Sequence, residues 1–197
     1  MDERFRLKYN RLLDILGDVA CCASRRMILV GGTALALFYL KHRLSIDLDF
    51  VPAEKEDSVE KLKQALKGCL SGKGYKTIAG AYTNQFVVQF EDTSIKIEVF
   101  VPERKIKKIL EFEFGNEKLL VASLEDLLEL KKLAYADRRE ARDLYDVIAI
   151  LRKKNESRDA VKKLMEKYGK PVNAEEVEKM SADKETYSEF KELVGID

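Results

Sequence analysis

The sequence predicts an α+β protein, with a head of mixed strands and helices over residues 1–121 and a small helical lobe over 122–197. Three observations carry that reading. Short apolar runs, some alternating with a period of two, recur between residues 27 and 121. Glycine, proline and polar clusters punctuate them. After residue 121 the apolar period becomes helical and stays so to the end, and strands with helices followed by helices alone is the pattern of segregated layers.

Residues 3–23 form an amphipathic helix, with Phe5, Tyr9, Leu12, Leu13, Leu16, Val19 and Ala20 close to i, i+4, i+7, i+8 spacing. Residues 27–30 are a short buried strand, Gly31-Gly32-Thr33 is a turn, and residues 33–41 are a helix apolar nearly all round and so buried. A strand over 46–51 ends at Pro52. A helix over 58–70 stops at Gly72 and Gly74. Runs over 82–90 and 94–101 are strands, and the short link Glu91-Asp92-Thr93 makes them an antiparallel hairpin. In the second, Ile95, Ile97, Val99 and Val101 point one way and Lys96, Glu98 and Phe100 the other. A further hairpin turns at Gly115-Asn116, between 110–114 and 118–121. Ser123 with Asp126 reads as a capping box for a helix to about Tyr135. Helices over 139–154 and 157–168 follow, the latter ended by Gly169 and Pro171. Asn173 with Glu176 reads as a second capping box, and the remainder to Val194 as helical and exposed.

Composition bounds the function. With 46% hydrophobic residues the chain is globular, and a net charge of +1 from 36 basic and 35 acidic residues leaves no global field for nucleic acid, so any RNA or nucleotide binds a local patch. Abundant Lys, Arg and Glu, sparse Asn and Gln and no Trp fit a heat-adapted source. The odd count of three cysteines, Cys21, Cys22 and Cys69, and the lack of a secretory signal predict reduced, buried thiols in a cytoplasmic protein. A single histidine and no cysteine cluster argue against structural zinc. No apolar run approaches a membrane span.

The chemistry gathers in residues 27–50. Gly31 and Gly32 permit a tight turn and let an anion approach the backbone, and the following helix offers free N–H groups and its dipole to a phosphate, with the Thr33 hydroxyl beside them. Asp47 and Asp49 are two apart on a strand, so both carboxylates leave one face while Leu48 and Phe50 take the core face. Adjacent carboxylates repel unless a cation lies between them, and Mg²⁺ uses one or two carboxylates plus phosphate oxygens. Glu98, mid-strand on the polar face of an apolar run, is the candidate third acid of a two-metal site. Its plain structural alternative is a cross-strand pair with a base such as Lys96. Asp143 and Asp146 share a helix face, where the plain alternative pairs Asp143 with Arg139 and Asp146 with Arg142. His42 reads as a polar helix-end residue.

The segments GGTALAL, HRLSIDLDF, KIEVF, SLEDLLELKKLA and RDLYDV, spanning about residues 27–151, together resemble the nucleotidyltransferase toxins of the AbiEii/AbiGii group, in the DNA polymerase β-like superfamily. The resemblance implies a polymerase β-like head, a mixed sheet with flanking helices, and transfer of an NMP from an NTP to a hydroxyl of an RNA such as tRNA, by a toxin with a cognate antitoxin. It implies that Gly32 and Thr33, in the turn that Gly31 opens, hold phosphates and that Asp47 and Asp49, with Glu98 as third acid, hold Mg²⁺ or Mn²⁺. Lys131 would reach the nucleotide, Asp143 would be needed for activity with Asp146 one turn on, and Arg43 and Ser45 belong to the shared HR-x-S-x-D-x-D segment. Thr33 stands where serine is common, and Glu98 where aspartate is usual. The rival functions are the same chemistry on a protein or small molecule, and nucleotide binding without catalysis.

Overall fold

Strands β1 (Met27–Val30), β2 (Asp47–Pro52), β3 (Lys76–Ala79), β4 (Gln85–Gln89), β5 (Ser94–Val99), β6 (Ile109–Phe114) and β7 (Glu117–Ala122) join in one sheet in the computed structural model, which describes residues 3–114 and 117–196. The sheet order is β3-β4-β5-β2-β1-β7-β6. It is mixed, as expected: β1 runs parallel to β7 and β2 to β5, and the other neighbours are antiparallel. The hairpin of β4 and β5 and that of β6 and β7 both form. The expected turn at Gly115-Asn116 lies outside the described residues.

Helices α1 (Glu3–Ala23) and α3 (Val59–Gly72) pack side by side against the sheet. Period-two alternation decides what they cover: Leu48, Phe50, Phe86, Val88, Ile95, Ile97 and Val99 are all buried. Ser58 caps α3, accepting the Lys61 N–H at 3.4 Å. The remaining helices are α2 (Gly31–Ala34), α4 (Leu124–Arg138), α5 (Ala141–Lys153), α6 (Asp159–Tyr168), α7 (Glu175–Met180) and α8 (Lys184–Val194). One hydrophobic core runs from Leu12 in α1 to Val194 in α8.

Several expectations need correction. The helix placed over 33–41 begins at Gly31 and continues as a π-helix over Leu35–Leu40, closed by the Lys41 N–H on the Ala36 carbonyl at 3.1 Å. Wider i→i+5 turns leave no trace in apolar periodicity. Strand β3 is short and mostly exposed, so it carries no apolar pattern, and it was missed. The 82–90 run narrows to Gln85–Gln89, leaving Tyr82 70% exposed, and Val101 lies beyond the end of β5, 74% exposed rather than inward. Ser123 caps α4, but Asp126 turns its carboxylate to the Lys107 and Lys108 N–H groups instead of completing a reciprocal box. Asn173 caps nothing; it takes a positive φ of 57° before α7. The tail is not an exposed helix. It is two helices burying Val177, Met180, Phe190 and Val194, and it clasps the segment before β2 through Leu44 N–H to Met180 O at 2.8 Å and Ala182 N–H to His42 O at 2.8 Å.

The cysteine expectation is also overturned. Cys22 in α1 and Cys69 in α3 form a disulfide across 47 residues, and Cys21 alone is free. Spacing hid the pair, because only the packing of α1 on α3 brings the two Cα atoms to 5.6 Å. Bridges of this kind belong to oxidising compartments and to intracellular proteins of hyperthermophiles. Loop closure over that separation is worth up to about 4 kcal/mol, or about 8–16 °C in melting midpoint for a chain of this size. Differential scanning calorimetry with and without reductant should show that drop in wild type and none in Cys22→Ala/Cys69→Ala; equal wild-type midpoints would show that the bridge adds nothing.

Candidate active site

The side chains of Asp47 and Asp49 leave the sheet on the face opposite α1 and α3, and register places them beside β5: Asp47 opposite Lys96, Asp49 opposite Glu98. Asp49 lies against Gly31, where a Cβ would come 2.4 Å from Asp49 Oδ2. Gly31 also has φ +75°, so glycine is required twice over. Burial first, and then the neighbouring charge of Asp47, raises the Asp49 carboxyl to about 6. A pair of carboxylates strained in this way, with a bare backbone alongside, fits one divalent cation. Glu98 is differently placed. Its two oxygens accept from Asn84 Nδ2 at 2.8 Å and Gln85 Nε2 at 2.9 Å, while Lys96 Nζ sits 3.2 Å from Asp47 and 3.9 Å from Glu98. Among the described residues, no three His, Cys, Asp or Glu side chains converge as a metal-holding group.

Across from the acids stands a basic wall. Gly31, Asp49 and Glu98 line one side of a cleft of about 280 Å³, and Lys131, Ala134 and Arg138 of α4 line the other. Lys131 is buried, with Nζ 2.9 Å from Asp143 Oδ1 and 2.8 Å from Asp146 Oδ2. Arg138 donates to Asp143 through Nε at 2.7 Å and Nη2 at 3.0 Å. Arg43 donates to Asp146 through Nε at 2.5 Å and Nη2 at 2.8 Å. Both aspartates are fully buried. Burial alone would raise their carboxyls; the charges of Arg43 and Lys131 hold Asp146 well below the carboxylate range, and Lys131 and Arg138 lower Asp143. The two aspartates in turn raise Lys131 against the opposing effect of burial, so its charge is secure.

The sequence-derived site therefore divides. Gly31, Asp49, Glu98 and Lys131 face the cleft, with Asp47 beside it. Gly32, Thr33, Arg43, Ser45 and Asp143 lie beneath it. Thr33 is fully buried and donates to the Asp47 carbonyl, with Ser45 Oγ 2.9 Å away. A Cβ on Gly32 would strike the Arg43 guanidinium at 2.0 Å. The pairing of Asp143 with Arg139 and of Asp146 with Arg142 does not occur; Arg142 pairs with Glu140 at 2.5 Å. His42 follows the end of the π-helix and is buried: its Nε2 is 2.7 Å from Asp146 Oδ1, and Nδ1 has no hydrogen-bond partner among the described residues. Burial, only partly offset by Asp146, lowers its pKa and keeps the ring neutral. Arg138 and Lys96 were missed. Arg138 had a signal, since it falls seven residues after Lys131 on one helix face. Lys96 shows in the sequence only as a structural partner of Glu98.

Removing one member of a buried ionic cluster strands the others. Asp146→Ala should cost about 3–5 kcal/mol in urea unfolding, because Arg43 and Lys131 lose their shared counter-ion. Asp92→Ala, which breaks only the exposed pair with Arg11, should leave the midpoint almost unmoved. As the folded Asp146 titrates well below 3.8, its contribution holds through mildly acidic pH and is lost only as pH falls through that lower value. A mild response to Asp146→Ala would mean that the network is not closed in solution.

The profile of the family described as nucleotidyl transferase AbiEii toxin, type IV TA system, matches residues 18–195. Among solved structures the chain is similar to JHP933 from Helicobacter pylori, at 21% identity and TM-score 0.57 over 99% of this chain and 92% of that one. It is also similar to an antigenic nucleotidyltransferase-like protein from Paracoccidioides brasiliensis, at 16% identity and TM-score 0.52 over 92% of each chain. No curated protein sequence matches it. At these identities the structures speak for the fold, which is the nucleotidyltransferase fold expected from the sequence. The family profile spans nearly the whole chain, and the protein belongs to the AbiEii family of nucleotidyltransferase toxins.

Proposed function

We propose that the chain transfers a nucleoside monophosphate from an NTP to a hydroxyl of an RNA acceptor, such as a tRNA, and releases pyrophosphate, with Asp47 and Asp49 holding Mg²⁺ or Mn²⁺. A cognate antitoxin would restrain it, as the type IV family implies. The observation that carries this reading is the cleft itself, with Asp49 against Gly31 on one wall and Lys131 and Arg138 on the other. Such a space suits a polyphosphate lying between a metal-binding edge and fixed cations.

Asp47 and Asp49 would hold the divalent ion, whose chemistry there would be Lewis-acid stabilisation of charge at the α-phosphorus. The chain's own residues account for the rest. Gly31 gives the Asp49 carboxylate its place at the edge of the cleft. Lys131 counters the charge that grows on departing pyrophosphate, and Arg138 shares that wall. Neither side chain needs to reorganise, since Asp143 and Asp146 already aim them. Asp143 thus acts through Lys131 and Arg138 as a positioning residue. Thr33 and Ser45 fix the start of β2, Gly32 gives Arg43 its place, and Arg43 orients Asp146; their service to the nucleotide is indirect. Glu98 either holds a second ion or takes the proton of the acceptor hydroxyl.

Incubation with each labelled NTP, Mg²⁺ and total RNA tests the reading. Label should enter RNA with wild type and not with Asp47→Ala/Asp49→Ala, and Lys131→Ala should lower kcat on the order of 10²–10³-fold. Label on protein would redirect the search to a protein acceptor, and equal label in the double variant would sink the assignment.

Asp49 also ties function to stability. Its folded pKa lies above the unfolded value of 3.8, so the ionised form is disfavoured in the fold, and stability falls as pH rises from about 4 to about 6. Without metal, Asp49→Asn should therefore melt higher than wild type above pH 6, and the gain should vanish near pH 4. Mg²⁺ should raise the wild-type midpoint at pH 7.5, less at pH 5.5, and leave Asp49→Asn almost unshifted. A pH-independent gap between the two proteins would show that Asp49 is not strained.

A further inference from the structure

We infer that Lys96 is a built-in counter-cation standing where a second divalent ion would lie, so that the site takes one metal ion per chain. The inference rests on the proposed metal-binding role of Asp47 and Asp49, and chooses between the two roles left open for Glu98.

Four observations point to it. Register puts Lys96 directly beside Asp47 on the neighbouring strand, and alternation sends Lys96, Glu98, Asp47 and Asp49 to one face of the sheet. The Lys96 ammonium lies between the acids, 3.2 Å from Asp47 and 3.9 Å from Glu98, and is not part of the cleft lining that Lys131 and Arg138 share. Glu98 is tethered at both oxygens by the Asn84 and Gln85 amides, and swinging it onto a metal would give up one or both bonds. No three acidic, histidine or cysteine side chains among the described residues converge on a common point. A two-metal site needs a third acid free to bridge; here that acid is held back, and a permanent positive charge already shares the gap with Asp47.

The chemistry is consistent with this division. An ammonium has three donors and no acceptor, so it cannot ligate a metal and repels one placed beside it. It can neutralise the inner edge of an acid pair and offer an N–H to an acceptor oxygen arriving from the open face of the sheet. Asp49, the member of the pair that Lys96 does not touch, remains for the single ion, with Asp47 shared between ion and ammonium.

Titration with Mn²⁺ alone, followed by loss of the free aquo-ion signal in electron paramagnetic resonance, counts the ions without requiring turnover. Wild type and Lys96→Arg, which keeps the charge, should each bind one Mn²⁺ per chain. Lys96→Met should bind two, and Lys96→Met/Glu98→Gln should return to one. Circular dichroism melts of each variant verify folding. Two Mn²⁺ in wild type, or one in Lys96→Met, would overturn the inference while leaving the metal role of Asp47 and Asp49 intact. No Mn²⁺ in wild type would overturn that role, and the inference with it.

Discussion

Asp143 and Asp146, two carboxylates on one turn of α5 with no access to solvent, are the constraint from which the rest of the site follows. Neither can stay ionised there alone. Three cations answer two carboxylates: Arg43 from the segment before β2, and Lys131 and Arg138 from α4. His42, kept neutral, adds a hydrogen bond and no charge. One positive charge is left over, and the cleft is where it shows. An apolar cluster of equal volume would join α4 to α5 as well or better. What it could not do is hold an ammonium and a guanidinium at fixed angles opposite the β2 acids.

The network also explains the glycine pair. The sequence suggests two glycines cleared for an anion. In the fold each clears a different side chain of the protein: Gly31 admits the Asp49 carboxylate and Gly32 the Arg43 guanidinium. A larger residue at Gly32 would displace Arg43, unpair Asp146 and loosen Lys131, three steps from the backbone to the basic wall of the cleft. The tail takes part in the same chain of contacts. Its hydrogen bonds to His42 and Leu44 hold the segment carrying Arg43, so helices far from the cleft in sequence set the angle of a residue beneath it.

What could be read in the sequence was what depends on near neighbours. The α+β class, six of the seven strands, both hairpin pairings and the helix cap at Ser123 follow from period and local chemistry, and so does the shared face of Asp47 and Asp49. Strand β3 escaped because an exposed edge strand has no apolar alternation to display. The disulfide, the Arg43–Asp146 pair and the Lys96 contacts escaped because each joins segments whose proximity is fixed only by packing or strand register. Family resemblance marked Lys131 and Asp143 as functional, but not that they bond each other at 2.9 Å, which turns two motif residues into one device.

Charge is arranged in opposite senses on the two walls of the cleft. On α4 Lys131 and Arg138 are each held by a buried carboxylate before any ligand arrives, and the one charge in excess faces the cleft. On β2 the acids are under-matched: Lys96 answers Asp47, while Asp49 is half-buried with its carboxyl raised to about 6. An under-matched acid costs the fold stability that a cation would return, which makes binding and stability two readings of one term. A site built the other way round, with satisfied acids and unmatched cations, would attract phosphate but give a metal ion no reason to stay. On the function proposed, that asymmetry would place metal at the strand edge and polyphosphate at the helix, and so orient a nucleotide across the cleft before any base contact is made.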